Sequence, residues 1–339
     1  MKPVRILHGR RLIAATLVAG LMATGARAEV GEVRIAEQFG IAYLPLMVMR
    51  EEGLIEKHAR KAGLGDIKVT WARFGSGGPM NDALLSGNLD FASGGVGPLL
   101  TIWSKTKGSL DVKGVATLCR MPLYLTTNNP NVKSIKDFTD KDRIALPAIK
   151  VSLQARTLQM AAEQAFGPGK HDVLDRLTVS MKHPDGTVAM LSGKSEITAH
   201  FSGPPFQQQQ LRNPRIRKIL SSFDVLGGPT TFVSLYARSS FRQDNPKTYK
   251  AFVAALREAM AMINADKKAA TRVFISQTKS KLDPAFVEKI VMDPENVFTT
   301  APRNTMKYAE FMRKVGAIQH LPASWKDYFF PEIHGEPGS

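Results

Sequence analysis

Eighteen residues, Asn81 to Pro98 (NDALLSGNLDFASGGVGP), run through a helix, a stop, a strand and a glycine-rich run, and few folds accommodate that succession. Pro79 stands where a first helical turn tolerates a missing N–H. Ala83, Leu84 and Leu85 favour helix, and Gly87 suits the left-handed residue that ends one. Leu89 to Ser93 then reads as a strand, and Gly94, Gly95, Gly97 and Pro98 as a turn that opens a second helix. Such a turn would aim bare backbone N–H groups into a crevice. A second copy lies 106 residues on: Ala189 to Ala199 (AMLSGKSEITA) matches ALLSGNLDFAS at Ala, Leu, Ser and Gly in register, with His200 to Pro205 where the first copy has its glycines. Leu-Ser-Gly is also a common helix stop, so the repeat reading competes with coincidence.

The same alternation continues on either side. Glu32 to Gln38 alternates apolar and polar residues as a strand and leads to a helix at Pro45; Asp66 to Phe74 is a strand ended by Gly75-Ser76-Gly77-Gly78. Strand-to-helix passages through glycine, serine or proline loops predict open α/β sheets with ligands beyond the carboxyl ends of the strands. The loops Gln38 to Tyr43, Gly75 to Gly78 and Ser93 to Gly97 would converge there. Val112 to Thr127, broken by Pro122, has no helical spacing and reads as a crossing connection. The alternation restarts at Arg143 to Pro147, with a helix over Val151 to Phe166 and strands at Leu177 to Met181, Glu196 to Ser202, Ile216 to Phe223 and Thr230 to Arg238, the last returning to the first body. A helix is predicted over Thr187 to Leu191. Past Asn245 helices form an outer layer, and His334 to Ser339 reads as a loose tail.

Lys2, Arg5, Arg10 and Arg11, an apolar run from Leu12 to Gly25 and Ala26-Arg27-Ala28 form a secretory signal peptide over 1–28, too short to span a bilayer. Arg10-Arg11 matches a twin-arginine signal loosely; general secretion is the reading adopted. The mature chain is expected to be soluble and periplasmic, and its length suffices for two domains. The formal charge of +16 includes five basic residues of the leader, and the remaining lysines and arginines are scattered rather than gathered in a tract. Nucleic acid is therefore not the expected partner. Cys119, the only cysteine, reads as a buried small hydrophobe.

With Gln38-Phe39-Gly40 before a helix, LSG-x-x-D-F-A-S-G-G, Leu146-Pro147 ahead of a helix and a tail ending in helix and Gly316, the mature chain resembles the periplasmic solute-binding proteins of the nitrate, sulfonate and taurine ABC importers. The resemblance implies a type II periplasmic binding protein fold. Two α/β lobes, each a mainly parallel sheet flanked by helices, would be joined by two crossing hinge strands: lobe I from 29–120 and 231–339, lobe II from 121–230. It also implies a small anion held between them and a permease in the inner membrane as partner to a monomer, with no cofactor and no metal. Position by position, the ligand loops fall on Gln38, Phe39, Gly40 and Tyr43, on Ser76 and Gly77, on Ser93, Gly94 and Gly95, on Ile149 to Ser152, and on His200, Phe201 and Ser202. The sequence departs from many relatives at Ile149-Lys150-Val151, where those carry a small residue and glycine before the serine.

A site between lobes needs backbone donors at helix starts and a few selective side chains. Ser76, Ser93 and Ser152 would donate or accept there, or serve as helix caps. Phe39, Tyr43 and Phe201 would stack on an apolar body or pack in a core. Arg120, Lys150 and Val151 complete the candidate set, the first two pairing with a carboxylate or sulfonate or standing solvated. His200 is the histidine best placed to act, against a structural role. The sequence holds no HExxH, Cys-x-x-Cys or Gly-x-Ser-x-Gly, and Gly193-Lys194-Ser195 has Val188 where a phosphate loop requires glycine. Pyrimidine-precursor synthases share the implied fold but use a histidine and a cysteine cluster, which one cysteine does not supply. An exported enzyme acting on a small heterocyclic or aromatic metabolite is the alternative reading.

Overall fold

The computed structural model describes residues 28–339, together with Met1. The leader reading falls outside the described residues apart from its two ends. From the amino end come β1 (Glu32–Glu37), α1 (Leu44–Glu51), α2 (Leu54–Lys61), β2 (Lys68–Arg73), α3 (Gly77–Leu85), β3 (Phe91–Gly95), α4 (Val96–Thr106) and β4 (Val112–Arg120). Val33 and Ile35 of β1 point into the core while Arg34, between them, forms a bidentate pair with buried Asp90 at 2.7 and 3.0 Å. That pair ties β1 to the residue before β3. Gly87, with φ 78°, ends the passage out of α3 as the sequence predicts.

Met121, Pro122 and Leu123 then carry the chain into a second body: β5 (Tyr124–Thr127), β6 (Ile144–Leu146), α5 (Leu153–Phe166), β7 (Thr178–Ser180), α6 (His183–Ser192), β8 (Ala199–Ser202), α7 (Phe206–Leu211), β9 (Arg217–Ser221) and α8 (Ser222–Leu226). β10 (Thr231–Arg238) returns to the first, followed by α9 (Ser239–Asp244), α10 (Pro246–Ala265), α11 (Lys267–Thr278), α12 (Pro284–Met292), β11 (Val297–Phe298) and α13 (Thr305–Lys314). The apolar segment over 112–127 is thus two strands in two sheets, and Pro122 sits in the handover.

One sheet has the order β11-β4-β10-β3-β1-β2, the other β7-β6-β8-β5-β9. Apart from β11 the two follow one plan. β2, β1 and β3 are parallel, as are β7, β6 and β8; β10 runs antiparallel to β3 and β4, and β5 antiparallel to β8 and β9. The parallel trio is what strand-helix alternation predicts. The antiparallel strands arise because the chain leaves and re-enters each sheet through the crossing segments. α3 and β3 correspond to α6 and β8, and Gly193, with φ 62°, matches Gly87, so the repeat in the sequence is a repeat in the fold.

Two expectations fail. Gly94 and Gly95 are strand residues paired with Ser234 and Val233, not a turn. A Cβ on Gly94 would stand 3.2 Å from the Tyr236 hydroxyl and 3.4 Å from Gln38 Nε2, so the glycine is there for side chains that cross over it. The carboxyl tail is docked rather than loose: Ser339 donates to the Pro302 carbonyl at 2.9 Å, and Gly338 packs on the Trp325 indole. In addition α6 begins at His183, ahead of the predicted Thr187, because Pro184 suits a first helical turn.

Candidate functional site

The carboxyl ends of the two parallel trios face each other, and helices begin where the strands end. From the first lobe Gly77, at the start of α3, and Gly95, the cap of α4, reach the interface; from the second, Ser152 caps α5 and His183 starts α6. Helix starts concentrate partial positive charge there. The contact is close. A Cβ on Gly95 would lie 2.6 Å from Leu153 Cβ and one on Gly97 3.0 Å from the Val151 carbonyl, while Ile41 N donates to the Pro204 carbonyl at 3.0 Å. Gly40, with φ 121°, permits that last approach, since a Cβ would stand 2.9 Å from the Pro204 oxygen.

Between the lobes lies an inner cavity of about 20 Å³, the room of one water, lined by Gln38, Phe39, Tyr43, Gly95, Ser152 and Gln154 among others, with His183 at its wall. Gln38 and Phe39 also line an outer cavity of about 440 Å³, walled by Arg73, Phe206, Phe274 and Lys281. The outer cavity is mostly apolar; its two charged residues are both cations. Buried Glu37 accepts from Arg73 at 2.6 and 3.1 Å and from Arg50 at 3.2 Å, so one carboxylate anchors two guanidiniums. Arg73 also lies over the Phe39 ring at 5.5 Å. A fixed cation beside an aromatic wall suits an anionic head on an apolar body.

The second lobe brings a polar chain to the same place. Gln154, His183, His200 and Gln210 are buried and linked in series at 3.1, 3.0 and 2.6 Å. Burial drives the His183 imidazole down to about 4 and holds His200 well below its ordinary value, helped by the repulsion that two adjacent protonated rings would suffer. Both rings are neutral at pH 7. Gly186 has no side chain because a Cβ would stand 2.8 Å from His200 Nε2.

Of the sequence-predicted residues, Gln38, Phe39, Gly40, Tyr43, Gly77, Gly95 and Ser152 line one cavity or both. The Ser152 hydroxyl is engaged as a cap, accepting from Ala155 N and donating to the Ala148 carbonyl. Ser76 is half-buried at the start of α3 without a side-chain cap bond, and Gly94 lies one residue behind the cleft. Others are not brought to either cavity. Ser93 donates inward to the Ala36 carbonyl at 2.6 Å. Phe201 packs in the second lobe's core, and His200 sits behind His183. Ser202 is fully buried with no partner for its hydroxyl. Arg120 ends β4 beside β11, and Lys150 is exposed on a left-handed turn residue, φ 59°, next to half-buried Val151. Cys119 is fully buried, its thiol pushed up to about 12 by desolvation.

Sequence reasoning missed Arg73, Gln154, His183, Phe206, Phe274 and Lys281. Arg73 and His183 carried a usable signal, a charge at a strand's carboxyl end and a histidine before Pro at a helix start. Phe274 and Lys281 carried none, since they belong to the outer helical layer and reach the cleft only through the tertiary fold.

The sequence matches the NMT1-like family over residues 26–277. A comparison with curated proteins finds no match. Solved structures similar in fold include the alkanesulfonate-binding protein SsuA from Xanthomonas axonopodis pv. citri bound to MOPS, at 16% identity and TM-score 0.67, covering 87% of this chain and 96% of that one. The periplasmic nitrate-binding protein NrtA from Synechocystis PCC 6803 gives 16% and 0.67 over 88% and 84% of the two chains. The periplasmic aliphatic sulphonate binding protein SsuA from Escherichia coli gives 16% and 0.64 over 89% and 92%. At such identities the likeness shows the fold, which is the two-lobed one of periplasmic binding proteins.

Proposed function

The chain belongs to the NMT1-like family, and from that membership we propose that it is the periplasmic solute-binding component of an ABC importer, capturing a small organic anion between its lobes for delivery to an inner-membrane permease. Lobe I comprises 29–120 and 231–339, lobe II 121–230, and residues 1–28 are the cleaved leader. The observation that carries the reading is the cleft itself: Arg73 and Lys281, no carboxylate among the lining residues, and Phe39, Phe206 and Phe274 around them. A sulfonate or carboxylate head would turn inward to the helix starts of α4 and α5, with its body among the aromatic rings. The inner cavity's volume means that the lobes part slightly to seat the head. The named functions of the similar structures, alkanesulfonate and nitrate binding, agree with an anionic ligand. The apolar lining favours a sulfonate or carboxylate with an apolar body over nitrate.

A thermal-shift panel of benzenesulfonate, MOPS, taurine, benzoate and nitrate tests this. The largest rise in melting temperature is expected with benzenesulfonate or benzoate, because a ligand at a hundred times its Kd stabilises by about 2.7 kcal/mol. Arg73→Ala should weaken that binding roughly tenfold, the worth of about one charge-assisted hydrogen bond. No shift with any of the five would overturn the reading.

A further inference from the structure

Three hydrogen bonds in a row cross the second lobe, and the protons available to them fix which way each group points. Gln210 Nε2 lies 2.6 Å from His200 Nδ1, His200 Nε2 3.0 Å from His183 Nδ1, and His183 Nε2 3.1 Å from Gln154 Nε2, the amide nitrogen and oxygen being interchangeable by a half-turn. Each junction requires one proton, and two neutral imidazoles bring two. One terminal carboxamide therefore supplies the third, and the other accepts.

Thr187 and Thr126 decide between them. The Thr187 hydroxyl donates to the His183 carbonyl at 2.9 Å, so towards Gln210, 3.3 Å away, it acts as acceptor and the amide nitrogen faces it. Gln210 Oε1 in turn accepts from Thr126 Oγ1 at 2.6 Å, the shorter of that hydroxyl's two contacts, the other being the His200 carbonyl at 3.2 Å. Gln210 thus donates into the chain, His200 carries its proton on Nε2, and so does His183. Gln154 accepts through its oxygen, its carboxamide being turned half a rotation from the orientation that would set two donors together. Its NH2 then faces away from His183, and Gln154 lines the inner cavity together with Gln38, Gly95 and Ser152.

We propose that the Gln210–His200–His183 relay sets Gln154 as a hydrogen-bond donor to the ligand's head, making Gln154 a specificity-determining residue that admits acceptor-only heads and disfavours their amide-bearing isosteres. The two histidines and Gln210 are positioning residues, acting through Gln154. The selectivity rests on the anion-binding reading; the proton arrangement does not. A neutral donor suits an anion at this depth because it adds no buried charge of its own, and a head group that must itself donate a proton leaves that donor unpaired.

The proton arrangement is read on the ligand-free mature protein by long-range 1H–15N NMR of the histidine rings. The relay requires His183 and His200 both to carry the proton on Nε2; protons on both Nδ1 atoms would mean that Gln154 donates inward and turns its oxygen to the cleft, which overturns the proposal. The selectivity is read by titrating benzenesulfonate and benzenesulfonamide. The wild-type chain should prefer the sulfonate, and Gln154→Glu, which places an acceptor there, should lose about 10- to 100-fold in sulfonate affinity with a smaller loss for the sulfonamide. Equal losses for both probes would overturn Gln154's role as a selective donor. If benzenesulfonate fails to bind while both rings show Nε2 protons, the anion reading and the selectivity fail together and the relay stands.

Discussion

Gly94 and His200 lie in corresponding strands of two sheets of one plan, two register positions apart: each strand is the third of a parallel trio, and the two residues pair with an antiparallel neighbour, Ser234 on β10 or Thr126 on β5. The first lobe leaves the Gly94 position empty, and Gln38 and the Tyr236 hydroxyl close over it. The second carries in that strand an imidazole that must find partners on both sides, and Gln210 and His183 supply them. A glycine there lets neighbouring side chains act singly. A buried histidine makes its neighbours' protons depend on one another.

The largest effect should come from removing the first lobe's emptiness at the interface. Gly95→Ala sets a methyl 2.6 Å from Leu153 Cβ, and overpacking of that kind costs about 1–3 kcal/mol. Because Leu153 belongs to the other lobe, the penalty falls on closure, and titration should show sulfonate affinity down by as much as about 100-fold. An unchanged affinity would show that the lobes need not come this close. In the second lobe His200→Leu takes one buried hydrogen-bond partner from Gln210 and one from His183, which should cost about 2 kcal/mol in denaturant unfolding. It should also reduce discrimination between benzenesulfonate and benzenesulfonamide, as His183 is then free to carry its proton on either nitrogen.

Acid separates the lobes in the same sense. Histidine in an unfolded chain titrates near 6.5, and burial lowers His183 to about 4. The folded value lies below the unfolded one, so this contribution to stability is complete above about pH 6.5. It is lost as pH falls towards 4, by up to about 1.4 kcal/mol per pH unit. His183→Gln should flatten that part of the stability profile measured by chemical denaturation; an identical slope in the variant would contradict the buried neutral ring. The smallest effect is expected at Lys150, exposed and left-handed. Lys150→Gly should change sulfonate affinity less than about twofold and raise stability by no more than about 1 kcal/mol.

Much of the plan was legible because it is local. Gly87 and Gly193 stop helices, the strands that follow them alternate or run apolar, and the match between 83–93 and 189–199 reports two sheets of one order. What the sequence hides is what depends on partners far along the chain. Gly94 and Gly95 look like a turn until β10, whose Val233 stands 138 positions on from Gly95, lies beside them. His200 looks like a cleft residue until α6, starting earlier than its pattern suggests, puts His183 in front of it. Phe274 reaches the outer cavity from a helix whose own periodicity speaks only of packing, and Lys281 from the connection between α11 and α12.

Titration calorimetry of the mature protein with benzenesulfonate at several temperatures tests the central claim most directly. Capture of an anion with an apolar body between the lobes predicts saturable one-to-one binding with a negative heat-capacity change, the mark of apolar surface leaving water, and weaker binding to Arg73→Ala. Absence of saturable binding by benzenesulfonate, or binding that Arg73→Ala leaves untouched, would contradict it.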